Sequence, residues 1–368
     1  MKIYVFDPNT LATIGIVSNY DSLTHTRQFA GSGTFKLKAP FSTELFGLLA
    51  EENVLYWEDA GRPRAVYIDS VICEREKAGE TITASGKNLR ALLGRRIVWT
   101  NFNFSGTVED FGRRLVNENA VAATDASRRI PLLSLAARVG LATTITAATE
   151  NDNLEELLDA VSAASSVGFD VVLDREARAL RFTAYEGVDR RTTQTATPWV
   201  VVSRDRNNVV SEVYTRSGDA SRNTALISGY TDETTGARFE RSIVAGSGLS
   251  RREIYVKGST SKPKPDKDTG ETEAQALARY AEELLTKGRE KLAKQVATLS
   301  LEVELDPNAV ARLDVGDKVT AIEKQYNLMA QTYVSEITSY YERGGVSYDV
   351  TLGDAVPTIY KKIREELV

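Results

Sequence analysis

The sequence predicts an α+β chain that is mainly β, with two antiparallel β-barrel or sandwich domains and α+β material inserted between them. Three observations predict it. Residues 1–98 alternate apolar and polar with period two, helical spacing is confined to a few segments, and a strand pattern near residues 53–86 returns near residues 318–353. Alternation sends successive side chains to opposite faces of a strand, so one face is apolar and the other wet, as in a half-buried antiparallel sheet.

Residues 1–98 form the first β domain. "IYVFD", "FKLKA", "NVLYWE" and "AVYIDSVI" all alternate, with Phe35, Leu37 and Ala39 opposite Lys36 and Lys38. Leu45, Leu48 and Leu49 stand at helical spacing and predict a short helix against the sheet. Asn88 is placed to cap a helix carrying Leu89, Leu92 and Leu93. Residues 99–198 change character into an α+β insertion. Thr107 and Asp110 have capping-box spacing ahead of Val108, Phe111 and Leu115. A second helix opens at Asn153, carries Leu154, Leu157, Leu158 and Val161 on one face and stops at Gly168. "FDVVLDREARALRFTAY" then reads as a β-hairpin.

Residues 199–258 regain strand character in "WVVVS", "VVSEVYT", "TALISGY" and "REIYVKG" and join the second barrel. Residues 259–272, with Pro263, Pro265 and Gly270 among many charges, predict a mobile linker. Residues 273–368 hold a long helix with Ala274, Leu277, Ala281, Leu284 and Leu285 on one face, then the second β-barrel and a C-terminal helix. Between helix and barrel, Ala297, Leu299, Leu301, Val303 and Leu305 alternate without a break.

The repeat can be aligned residue by residue. Without a gap, Tyr67 falls on Tyr333, Ile68 on Val334, Val71 on Ile337, Glu76 on Glu342 and Gly79 on Gly345. One extra residue then sets Thr81–Ile82 approximately against Asp349–Val350, and Gly86 against Gly353. Val54 and Val319 open the first strand of each copy, so the turn with Gly316 and Asp317 fills the slot held earlier by "EEN". Matching turns with matching flanks argue for one sheet architecture used twice.

Composition excludes several chemistries. A net charge of −5 argues against a dedicated nucleic-acid binder, which needs a basic face. The Arg-Arg pairs at Arg95, Arg113, Arg128, Arg190 and Arg251 read as solvated faces or helix ends. The start has no apolar core before Asp7 and Pro8, and no apolar run approaches the roughly 18 residues of a membrane helix, so a soluble chain made in a cytoplasm is expected. The single cysteine, Cys73, follows an apolar strand and reads as packing.

With one histidine, His25, the common zinc sites and a serine triad lack ligands or a base, and no G-x-S-x-G elbow is present. His25 reads as a surface or pairing residue. Glu51–Glu52, Glu282–Glu283 and Glu365–Glu366 are sequence neighbours that point in different directions on a helix, which disfavours an acid-only glycosidase. The "GSG" stretches at Gly31 and Gly246 lack the rest of a phosphate loop and read as turns. No aspartate set has EF-hand spacing. The expectation is no enzyme activity, no catalytic residue, no cofactor and no metal.

The chain resembles the baseplate-hub and tail-tip proteins of long-tailed bacteriophages. The resemblance rests on G-x-F-x-L-x-x-P at Gly33 to Pro40, the "ASGKNLRALLGRRI" strand-to-helix step, the module ending "ALRFTAY" and the closing "VGDKV", "YVSEI" and "LG" elements. It implies tail-tube-like barrels, two per chain. Three chains would then make a pseudo-sixfold ring in the virion tail, or in a related contractile injection device. Such a homotrimer has a tail-tube or distal tail protein above, a tip, spike or fibre protein below, and DNA only in transit through its lumen. The repeat positions Tyr67, Val71, Gly79, Gly86, Gly316, Asp317, Tyr333, Ile337, Gly345 and Gly353 define its sheets. Ile359, Ile363 and Leu367 form a narrow apolar stripe on the C-terminal helix and are candidates for a subunit interface. The alternative is a carbohydrate-binding tail module that stacks sugars on Tyr340, Tyr341, Tyr348, Trp99 and Trp199.

Overall fold

The computed structural model describes residues 1–59, 61–77, 79–218, 221–265, 270–293, 295, 298–325 and 328–353. The chain divides into two compact units, one of Met1–Val213 with the described residues from Leu301 onward, the other of Tyr214–Ser300.

The first unit opens with β1 (Ile3–Phe6), β2 (Thr13–Val17), β3 (Ser22–Gln28) and β4 (Thr34–Pro40). Helix α1 (Thr43–Leu48) follows, capped by Ser42 Oγ, which accepts from the Leu45 amide at 3.1 Å. Then come β5 (Val54–Asp59), β6 (Arg62–Glu76) and β7 (Gly79–Asn88). The alternating faces bury Ile3, Val5, Leu23, Phe35, Leu37, Leu55, Trp57 and Ile82 in one core. Cys73, expected in packing, is exposed. It lies on the outer half of β6, where the β6–β7 ladder runs on past the core and both faces meet water.

The insertion starts with a 3-10 turn at Leu89–Arg95, and Asn88 does not cap it. The Asn88 side chain turns back to β3 instead. Strand β8 (Asn103–Thr107), α2 (Val108–Val116), β9 (Leu133–Leu135), β10 (Thr144–Ala148), α3 (Leu154–Ser165), β11 (Val167–Asp174) and β12 (Ala179–Glu186) follow. Thr107 Oγ1 accepts from Asp110 N at 3.1 Å, while the Asp110 carboxylate pairs with Arg138 and does not close the predicted capping box; Asn153 Oδ1 accepts from the Glu155 and Glu156 amides. Helix α3 stops two residues before Gly168: Ser166 takes the left-handed conformation at φ +60, and Gly168 lies inside β11 beneath the Tyr185 ring. Phe111, Leu115, Leu154, Leu158, Phe169 and Phe182 share the core of this layer.

Strands β13 (Val201–Val202) and β14 (Val209–Ser217) lead to the second unit. There β15 (Thr224–Thr231) lies between antiparallel β16 (Arg238–Val244) and parallel β17 (Glu253–Lys257). Strand β16 is absent from the sequence-based reading although Phe239 and Ile243 alternate with charges. Helix α4 (Glu273–Ala293) packs on this sheet through Tyr280 and Leu284, against Ala225, Ile227, Tyr230 and Val256. Tyr280 Oη accepts from the Tyr230 amide at 2.9 Å. The helix thus belongs with the strands before it, whereas its position in the sequence groups it with those after it.

The chain then forms β18 (Thr298–Leu305), α5 (Pro307–Val310), β19 (Lys318–Glu323), β20 (Leu328–Glu342) and β21 (Gly345–Gly353). The large sheet has the order β14-β18-β21-β20-β3-β4-β7-β6-β5-β1-β2, with β19 on β20 and β13 on β19. It is mainly antiparallel and continuous, and no closed barrel occurs among the described ladders. Its two halves join because β3 pairs with β4 on one edge and with β20 on the other.

Candidate functional site

The two halves of the large sheet are built alike. In the first, β3, β4, a short capped helix, β5, β6 and β7 follow in sequence; in the second, β14, β18, a short capped helix, β19, β20 and β21 do so. Strands β5 and β19 each have 6 residues, and β6 and β20 each have 15. The first helix is capped by Ser42, and the second by Asp306, whose carboxylate accepts from Asn308 N at 2.9 Å. The second unit is spliced between β14 and β18.

Register matches as closely as order. Tyr67 faces Val54 across the β5–β6 ladder, and Tyr333 faces Lys318 across β19–β20. The ladders slip once, between Ile68 and Ser70 on β6 and between Val334 and Glu336 on β20. Val71 then pairs with Ala84 and Ile337 with Val350, and both hairpins close at a glycine, Glu76 on Gly79 and Glu342 on Gly345. Bulges at one shared position bend both long strands alike.

Three aligned positions move. Lys318 rather than Val319 matches Val54. Thr83 and Ala84, not Thr81 and Ile82, match Asp349 and Val350. Gly86 opposes Ile68 as Leu352 opposes Val334, so Gly353 lies one residue beyond the match. No extra residue is needed in the second hairpin; the length difference sits in the first connection instead, where Asp59 pairs Arg62 but Glu323 pairs Leu328. At Gly86 a Cβ would come within 2.1 Å of the Tyr67 carbonyl oxygen.

A buried polar seam joins the halves. Thr26 and Thr338 hydroxyls lie 2.9 Å apart, and Gln28 Nε2 donates to Glu336 at 2.7 Å. Tyr348 Oη donates to buried Asp59 at 3.0 Å, and burial followed by that carboxylate pushes the phenol up to about 12. The turn before β19 locks the seam. Gly316 has φ +89, which admits the tight turn, and Asp317 accepts from Val188 N at 2.7 Å and from Asp314 N and Arg190 Nε at 3.1 Å each. Asp314 takes Arg27 from β3 and Arg62, at 2.9 Å, from β6. Burial alone would raise the Asp314 carboxyl, but Arg27, Arg64 and Arg62 together hold it below its ordinary value.

Of the aromatic residues offered for sugar stacking the tyrosines are engaged, while Trp99 and Trp199 stay 56% and 54% exposed. Tyr341 and Tyr348 are buried, Tyr340 Oη donates to Asp349, Arg128 covers the Trp99 ring at 3.9 Å, and Trp199 Nε1 donates to the Gln194 carbonyl. The arginine pairs also have partners, such as Arg95 with Glu52 and Arg191 with Asp189. The stripe Ile359, Ile363 and Leu367 lies outside the described residues. Among the described residues no group of three or more His, Cys, Asp or Glu side chains could hold a metal ion, and no helix is long and apolar enough to cross a membrane. One carboxyl pair escapes any reading by sequence spacing: burial and then Glu323 raise the Glu212 carboxyl, although Arg204 sits 3.1 Å from it. Its members come from β14 and β19, far apart in the chain.

A family model described as Siphovirus ReqiPepy6 Gp37-like protein matches residues 2–354. No curated protein matches the sequence. Among solved structures, the 43 kDa tail protein of prophage MuSo2 from Shewanella oneidensis is similar at 14% identity and TM-score 0.57, over 96% of this chain and 98% of that one. A tail protein from Neisseria meningitidis MC58 is similar at 13% identity and TM-score 0.54, over 95% of both chains. Prophage tail protein gp18 from Listeria monocytogenes EGD-e is similar at 12% identity and TM-score 0.54, over 99% and 98%. At such identities the likeness is one of fold.

Proposed function

The chain belongs to the Siphovirus ReqiPepy6 Gp37-like protein family, and from that premise we propose that it is a structural hub of a phage tail. Three copies form a pseudo-sixfold ring that joins the tail tube to the tip. The protein works by holding shape and turns nothing over. Its partners are its own copies, a tube or distal tail protein on one side and a tip, spike or fibre protein on the other, with DNA passing only through the lumen.

One observation carries this reading: the sheet order repeats as β14-β18-β21-β20 followed by β3-β4-β7-β6. Within the chain the halves join where β3 pairs with the outer half of β20, at Glu336–Glu342. The matching outer half of β6, Ser70–Glu76, has β7 on one edge and no strand on the other among the described ladders. Strand β14, the counterpart of β3, ends the sheet. The same joint made between copies sets β14 of one subunit on β6 of the next, a head-to-tail contact that closes into a ring. Neighbouring copies then complete each half-sheet into a tail-tube-like barrel wall.

Cross-linking tests the joint. Cys73, the only cysteine, sits on the open edge of β6. Cysteines placed one at a time from Val209 to Val213 should yield disulfide-linked dimers and trimers under oxidation, with at least one position efficient. Light scattering on the uncross-linked chain should give three times the chain mass, and negative-stain images a ring. A particle that stays monomeric at every concentration, with no cross-link at any position, defeats the reading.

A further inference from the structure

Beside the seam, a cavity of about 470 Å³ lies between β3, β6, the β11–β12 hairpin and the turn before β19. Arg27, Arg62, Arg64, Arg90 and His25 all line it. Asn88 settles the tautomer of His25. The Asn88 amide nitrogen donates to the Ser32 and Thr26 carbonyl oxygens, which turns its Oδ1 toward His25 Nε2 at 2.7 Å. An amide oxygen only accepts, so Nε2 carries the proton and Nδ1 is a bare acceptor. His25 is 1% exposed, and its Nδ1 is buried with no partner among the described residues.

Three cations leave donors unused in the same way. Nε–H of Arg27, of Arg64 and of Arg90 is buried without an acceptor among the described residues. Arg90 is 2% exposed, its terminal nitrogens committed to Asp159 and the Phe169 carbonyl. Arg64 is the least satisfied, with one ion pair to Asp59 at 3.8 Å and no guanidinium hydrogen bond among the described residues. Burial, then Arg27, pushes its pKa down to about 10. Buried polar groups are ordinarily paired, and a cluster of exceptions around one cavity points to an occupant. Unused N–H groups on cations bond most strongly to an oxyanion, whereas a bare imidazole nitrogen pairs with a donor. A protonated oxyanion supplies both.

We propose that the cavity binds an oxyanion of the hydrogenphosphate class, its charged oxygens accepting from the Nε–H groups of Arg27, Arg64 and Arg90 and its hydroxyl donating to His25 Nδ1. Asp170, Glu186, Asp314 and Asp317 also line the cavity; burial raises the Asp170 carboxyl, Asp314 is paired with Arg27 and Arg62, and Asp317 with Arg190. The volume exceeds that of phosphate alone and leaves room for water or for a group that carries the phosphate.

The test is calorimetric titration of the full chain near neutral pH with inorganic phosphate, sulfate and glycerol phosphate at matched ionic strength. Phosphate should bind once per chain and raise Tm over chloride. Sulfate has no hydroxyl for Nδ1 and should bind weaker by more than about tenfold. Arg64→Gln should lose phosphate binding by a similar factor, and because it leaves buried Asp59 without its cation it should also melt lower in chloride. If that variant does not fold, the phosphate-over-sulfate preference of the unaltered chain and its phosphorus NMR line broadening decide the matter. Glycerol phosphate binding as tightly as phosphate assigns a carried phosphomonoester, and binding of phosphate alone assigns the free ion; either supports the site. No phosphate binding by the unaltered chain means that the cavity holds water only and overturns the proposal. Equal binding of sulfate, or undiminished phosphate binding by Arg64→Gln, also overturns it. Binding is read per chain, so its outcome is separate from ring formation.

Discussion

His25 packs edge-on to Trp57 with ring centroids 4.8 Å apart, and burial first of all pushes its pKa from 6.5 down to about 3. Between those values the unfolded chain binds a proton that the folded chain refuses. Stability from this group is therefore full above about pH 6.5 and is lost as pH falls toward 3, at up to about 1.4 kcal/mol per pH unit. Denaturant unfolding at several pH values should give a steeper acid loss for the native chain than for His25→Gln; parallel profiles would contradict the assignment. Asp317→Ala, which strips two amides and Arg190 of a buried acceptor, should cost about 3 kcal/mol in the same assay. The Gly316 turn is readable in the sequence because its backbone requirement is local, whereas the Asp317 partners Val188 and Arg190 lie 129 and 127 positions away. His25, Asn88 and Cys73 are not readable there, since their surroundings come from elsewhere: the His25–Asn88 bond spans 63 positions. Arg64 lies in an ordinary alternating strand, and nothing in its neighbourhood marks it as buried against other cations.

At the scale of elements, period-two alternation locates most strands, leucine spacing locates α1, and polar residues at the helix starts locate α2 and α3, because these signals are written within a few residues. Strand pairing is not written that way. The joint of β3 to β20 brings together segments roughly 300 residues apart, as the Thr26–Thr338 contact illustrates. Likewise the stripe on α4 announces a buried face but not which sheet it covers, and the sheet proves to be β15–β17. Matching register makes a sharp comparison possible. Gly86→Ala would set a Cβ 2.1 Å from the Tyr67 carbonyl, with backbone rather than a flexible side chain in the way, and should cost more than about 3 kcal/mol. At the matching position Leu352→Ala removes a side chain that is 2% exposed and should cost about 2–5 kcal/mol by leaving a cavity. Thermal melts of both variants check this. A neutral Gly86→Ala would mean that the β6–β7 ladder relaxes around the bulge.

For the whole molecule, the doubling of one sheet plan was legible as a sequence repeat, while the interruption of the second copy by another folded unit was not. Hydrophobic periodicity records what each strand buries, not where the chain leaves a module and returns to it. The proposed ring adds a prediction for the stripe Ile359, Ile363 and Leu367: removing residues 357–368 should lower the assembled mass in light scattering if the stripe docks on a neighbouring copy. An unchanged mass after truncation would assign the stripe to its own subunit.

Among the described ladders the β6 edge over Ser70–Glu76 carries no strand, and under the proposed ring that margin is exposed until a neighbouring copy covers it. Head-to-tail joints carry no built-in stop, so a slight error in the angle between successive copies would wind a helix where a closed circle is needed. Charged side chains at Glu74, Arg75 and Glu76 on that margin suit a strand that must refuse strangers until its own kind arrives.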